Sequence, residues 1–191
     1  MKKNWALLLS IALFMGCNAD PKSQSDTSLD GSNSEQTSSV DTKMLKTDIE
    51  SLINFFAAQS GKSLNKEKAS EMIRKSAQFA TAFPDDPKAS GYLFMSGEVA
   101  RSIGRYEDAI NIFSKVEKDY VDHEKAPSAL FLKAFTYEEN LNDTALAKKH
   151  YNEFLEKYPN HQLAKEVKQL LAVIDVSPEE LIKRFQQQNQ Q

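Results

Sequence analysis

The sequence predicts an all-α fold, a solenoid of about three helical hairpins closed by a C-terminal capping helix. Three observations carry that expectation. From Leu45 onward apolar residues recur at helical spacing, and no alternating strand pattern of useful length interrupts them. The stretch IGRYEDAINIFSKV, residues 103–116, returns in paler form as LNDTALAKKHYNEFL after about 38 residues, a period typical of helical repeats. Small residues hold matching places in the two copies, Gly97 with Ala134 and Ala109 with Ala147, where two helices can approach closely.

The chain opens MKKNWALLLSIALFMGCNAD. Lys2 and Lys3 form a positive start, and Trp5 to Met15 is apolar apart from Ser10. A run of about 11 residues is too short to span a bilayer as a helix, which takes about 20, but it suits the apolar region of a signal peptide. Gly16-Cys17 follows directly. This order resembles the lipobox of bacterial lipoproteins, which implies residues 1–16 as a signal peptide and Cys17 as the lipid-attachment residue. Phe14 stands where the usual pattern has leucine. Each buried methylene contributes about 0.8 kcal/mol and stable anchoring takes about two chains, so the three acyl chains the resemblance implies suffice. By the same resemblance Asn18, in place of aspartate, favours the outer membrane, with the folded part expected to face the periplasm.

Residues 17–40 read as a disordered tether. From Asn18 to Val40 the only apolar residues are Ala19, Leu29 and Val40, too few to offset the entropy of ordering. As a flexible coil this length spans about 25 Å. Residues 41–175 then form the helical domain. Leu45, Ile49, Leu52, Ile53 and Phe56 make one stripe; Ala69, Met72, Ile73, Ser76, Ala80 and Phe83 make the next, after a Gly61-Lys62-Ser63 break. Together they predict a degenerate first hairpin over 41–83. Clear repeats follow over 84–121 and 122–159. Leu163, Val167, Leu170, Leu171 and Ile174 give a cap over 161–175. Residues 176–191 hold a last helix and a glutamine-rich tail, the helix announced by Ser177 as N-cap, Pro178 at its first position and Glu180 closing a capping box.

The two clear units align residue by residue. Lys88-Ala89 matches Lys125-Ala126, Leu93-Phe94 matches Leu130-Phe131, and Gly97 matches Ala134. After a one-residue slip in the turn, Ala109 matches Ala147, Phe113 matches Tyr151, Val116 matches Phe154 and Tyr120 matches Tyr158. A hairpin of this size cannot cover its own apolar face, so it stacks on the next. On these residues the sequence resembles the tetratricopeptide repeat (TPR) family. Gly97, Ala109 and Phe113, then Ala134, Tyr137, Ala147, Tyr151 and Pro159, fall where that motif has its small, aromatic and proline residues. FPDDPKA, YVDHEKAP and YPNHQLAK resemble the periplasmic subgroup, the Tol–Pal-associated cell-division coordinators and the lipoprotein of the outer-membrane barrel-assembly machine. Three departures stand out: Asn54 holds the small position of the first hairpin, Val121 replaces a proline, and ENLNDT lacks the turn glycine.

Composition and spacing argue against chemistry. Twenty-four basic residues against 27 acidic ones give a net charge of −3, without the clustered basic surface that nucleic acid requires. One cysteine permits no internal disulfide. His123 and His161 sit in corresponding turns about a repeat apart, too far to share an ion, and His150 joins no stripe, so no metal and no cofactor are expected. The acid pairs mostly stand at helix starts, where they complement the helix dipole. No nucleophile, base and stabiliser can be assembled, so no enzyme is expected.

What remains is a surface. The family pattern implies a groove lined by Phe94, Glu98, Arg101 and Ser102 in one unit and by Phe131, Phe135, Glu138 and Glu139 in the next. Phe135 would suit a partner's anchor, although the simpler reading of the three phenylalanines is packing against neighbouring helices. The expectation is a membrane-anchored adaptor or scaffold of the bacterial cell envelope that binds a peptide or helix of an envelope protein. The alternative is a structural or self-associating subunit of an outer-membrane complex, using the flank from Ser177 to Phe185 or the first hairpin against another copy.

Overall fold

The computed structural model describes residues 32–58 and 65–188. The leader, Cys17, the tether up to residue 31, the Gly61-Lys62-Ser63 break and residues 189–191 lie outside the described residues. Among the described residues the regular elements are all helices: α1 (Ser32–Ala57), α2 (Lys66–Ala82), α3 (Ala89–Ser102), α4 (Tyr106–Asp119), α5 (Ala126–Glu139), α6 (Thr144–Lys157), α7 (Ala164–Val173) and α8 (Pro178–Gln188). Helices α1/α2, α3/α4 and α5/α6 pair as hairpins, and each second helix also packs on the next first helix, α2 on α3, α4 on α5 and α6 on α7. That alternation is the all-α, TPR-like solenoid that the periodicity predicts.

One expectation needs correction. Ser32 to Val40, which composition assigns to the tether, forms the first turns of α1. Polar composition speaks to burial alone. Once Leu45 to Phe56 is held helical by packing, extending the helix backward adds a hydrogen bond for each residue fixed and requires no new nucleus.

The joints between hairpins repeat one geometry three times. Phe83, Tyr120 and Tyr158 cap α2, α4 and α6 with φ/ψ of −134/63°, −127/46° and −130/53°. Three residues on, Asp86, His123 and His161 each accept a hydrogen bond from the backbone N–H two residues ahead, at 3.0, 3.1 and 3.2 Å. Their own carbonyls accept from Ala89, Ala126 and Ala164 at 2.9 Å each. The first hairpin therefore joins the solenoid as the others do, despite its weak sequence match.

Close approach within the clear hairpins falls at the small residues. A Cβ placed on Gly97 would lie 2.6 Å from Cε1 of Phe113, a fully buried ring on α4. Ala109, Ala134 and Ala147 are also fully buried. Asn54, by contrast, is exposed, so the first hairpin does not use it for close approach. The missing turn glycine is explained too: Gly104 has φ +83° and its counterpart Asn142 has φ +52°. Asparagine is among the few residues other than glycine that visit this left-handed region routinely.

A charged cluster ties α4, α5 and α6 together. Glu117 (2% exposed) takes Lys133 (4% exposed) at 3.4 Å and also pairs with Lys157, which reaches Glu153 at 2.8 Å. His150 joins through Nδ1, 2.9 Å from Glu153, and its ring stacks on Tyr137. Burial would raise the Glu153 carboxyl, but hydrogen bonds from Lys157 and His150 and the Lys133 charge outweigh it and bring it down to about 2.

Candidate interaction surface

The expected groove residues stand on α3 and α5, and the structure divides them into three groups. Phe94 stands alone in the first group. It is buried beneath Lys125, whose Nζ lies 5.8 Å from the ring, and it packs on Phe113 with 5.9 Å between ring centres. Its ring enters the α3/α4 core because Phe94 lies three residues before Gly97, on the face of α3 that meets Phe113. A partner could reach little of it.

The second group is a seam between the two helices. Arg101 of α3 lies over the Phe135 ring of α5, 5.4 Å from its centre. Phe135 stacks on Phe131 at 5.9 Å with an interplanar angle of 16°, and Phe131 leans on Tyr151 and Phe154 of α6. Phe131 and Phe135 are half-buried, so both readings of the aromatics hold in part: one edge packs and one edge faces out. A guanidinium on a ring face gains about 0.5–1 kcal/mol where water reaches it. Nε of Arg101 makes no hydrogen bond to another protein group.

The third group borders a cleft. Glu98 and Ser102 form its rim, and Ile53 and Phe56 of α1, Met72 of α2 and Met95 of α3 line it, enclosing about 300 Å³. Although Glu98 keeps an open surface, the surrounding helices withdraw enough water to push its carboxyl above the ordinary range. The charges of Arg101 and Lys125 oppose that shift. Ser102 donates to the Glu98 carbonyl at 2.8 Å. In α5 the acids part ways. Glu138 accepts the Tyr151 hydroxyl at 2.7 Å, while Glu139 is exposed.

Sequence reasoning missed the α1 side of this cleft. Periodicity places Ile53 and Phe56 in a core stripe and does not single out Met95 and Val99, four apart on α3. The signal was present, since a stripe wider than one neighbour can cover leaves an apolar edge. The histidines are accounted for structurally: His123 and His161 serve the joints and His150 the charged cluster.

Thus an apolar cleft, an aromatic seam and a mixed set of charges lie along consecutive first helices. Such a surface recognises a polypeptide by anchoring side chains and orienting charges. Comparison with known proteins agrees at the level of the repeat: the tetratricopeptide repeat model matches residues 128–161. Neither the curated proteins nor the solved structures yield a match. The chain carries a tetratricopeptide repeat within an all-α solenoid, which points to a protein–protein interaction adaptor.

Proposed function

We propose that this protein is a lipid-anchored adaptor of the bacterial cell envelope, held at the outer membrane by Cys17 and facing the periplasm, which binds a peptide or helix of an envelope partner along α1, α3 and α5. The observation that carries the binding half is the Arg101–Phe135 seam beside the Glu98 cleft. It offers an aromatic anchor, a guanidinium lying over that ring and an apolar recess within one surface. The anchoring half rests on the order of Lys2-Lys3, the apolar run and Gly16-Cys17. A short groove gives modest affinity, and confinement to a membrane raises the local concentration that compensates for it.

Two measurements test the halves separately. Cys17→Ser should move the protein from the membrane to the soluble fraction; continued membrane association would remove the lipid anchor from the proposal. Cross-linking in intact envelopes followed by affinity capture should recover a partner whose yield falls at least about fivefold in Arg101→Glu, with helicity unchanged. An identical set of captured proteins from both forms, or none from either, would reject this binding face.

A further inference from the structure

The two ends of the solenoid are complementary, and we infer that they join: α8 of one copy docks into the outer groove between α1 and α2 of a second copy. The groove encloses about 820 Å³ and has Leu45, Ala77, Ala82 and Phe83 in its walls, with Asp41 and Arg74 at its edges. It lies on a side of α1 that no other described helix but α2 borders. Met44 beside it is 62% exposed.

The occupant is identified by the register of the fold. Everywhere else a second helix packs on the following first helix, as α2 does on α3, α4 on α5 and α6 on α7. Among the described residues, helix α1 is a first helix without such a neighbour. Helix α8 follows a first-type helix, α7, but among the described residues it does not pack along it as extensively as the other second helices do. It carries an apolar group at 181, 182 and 185 in an otherwise polar sequence, and Ile182 is 58% exposed. At 1.5 Å per residue α8 is about 16 Å long, and the groove from Arg74 to Ala82 runs about 12 Å.

Charge gives the same orientation as the register. Lys46 bridges to Asp86 and Lys75 to Asp48, so α1 and α2 run antiparallel, with Arg74 towards one end of the groove and Asp41 towards the other. Glu179 in the first turn of α8 then suits Arg74, and Lys183, one turn later, suits Asp41, the long arginine and lysine stems giving the reach. This sets α8 parallel to α2 and antiparallel to α1, the direction a preceding second helix would take. The contact is heterologous, so repetition adds copies head to tail and extends the solenoid. It is independent of the peptide-binding face, which lies on other residues.

The test uses the full chain in mild detergent with Cys17→Ser in every form. Differently tagged copies carrying Ala77→Cys and Ile182→Cys should form a mixed disulfide on gentle oxidation, and neither copy alone should give the same yield. Sedimentation should show concentration-dependent association, weakened about tenfold or more by Ile182→Asp, an exposed position that leaves the fold intact. Asp41→Lys should weaken it by about fivefold or less and Lys183→Asp should restore it in the double variant. A strictly monomeric chain, a disulfide confined within one copy when both cysteines share a chain, or association indifferent to Ile182→Asp would each overturn the inference.

Discussion

At the scale of single residues, close contact is decided by the absence of atoms. Gly97 is glycine because Phe113 already occupies the space its Cβ would need. Gly97→Ala gains about 0.5–1 kcal/mol in helix propensity but forces a fully buried ring to move, which costs about 1–3 kcal/mol. We expect a net loss, read as a lower urea midpoint with unchanged slope; a midpoint that rises would refute the placement. The opposite case is Ser76. It is fully buried on α2 where the clear repeats carry Phe113 and Tyr151, and its hydroxyl has no hydrogen-bond partner. Ser76→Ala removes a buried group that gains nothing from burial, so stability should rise by about 1 kcal/mol, measured by the same titration. Gly97 was legible in the sequence because the repeat compared it with Ala134. Ser76 is simply one more stripe member in the sequence, since one hydroxyl leaves no mark on a periodic pattern.

At the scale of helices, the charged cluster is the link that pattern reading could not find. Glu117, Lys133, Lys157 and Glu153 look like the solvated face of any surface helix, and only the packing of α4 against α5 closes water away from the first two. Glu117→Ala should cost about 3–5 kcal/mol, because it strands the buried Lys133 ammonium without a partner. Thermal melting would check this, and Lys133→Met in the same chain should recover much of the loss. The cluster also fixes a pH response. Glu153 is held at about 2, below its ordinary value, so its stabilisation is complete above about pH 4.5 and is lost as pH falls towards 2. His150 acts with the same sign. Burial lowers its affinity for a proton against the pull of Glu153, so acidification through and below its ordinary range also favours the unfolded chain. Stability should therefore fall on acidification, with Glu153→Gln flattening the lowest part of the curve by on the order of 1 kcal/mol. An unchanged curve would dissociate Glu153 from the cluster.

At the scale of the molecule, a solenoid is stabilised by neighbours, so its ends are weaker than its middle. Helices α3 to α6 are covered on both sides, whereas α1 has no preceding helix among the described residues and borders an open groove. Native-state hydrogen exchange should show α1 opening at lower free energy than α3 and α5. Its protection should rise with protein concentration if a second copy caps it. Equal protection along the chain would argue for a single cooperative unit instead.

The sequence by itself determined the helical class, the hairpin period, the small residues at the crossings and the start of α8 at Ser177, where the Glu180 N–H does meet the Ser177 hydroxyl at 3.2 Å. These are local or periodic properties, and a chain displays them in order. Tertiary structure alone decided that Phe94 is buried, that Arg101 meets Phe135 from another helix, that Ile53 and Met95 share a cleft and that Glu117 lies out of water. Each of these depends on which faces of distant helices come together. The repeat says that such faces meet, but the side chains of both partners settle what is enclosed between them.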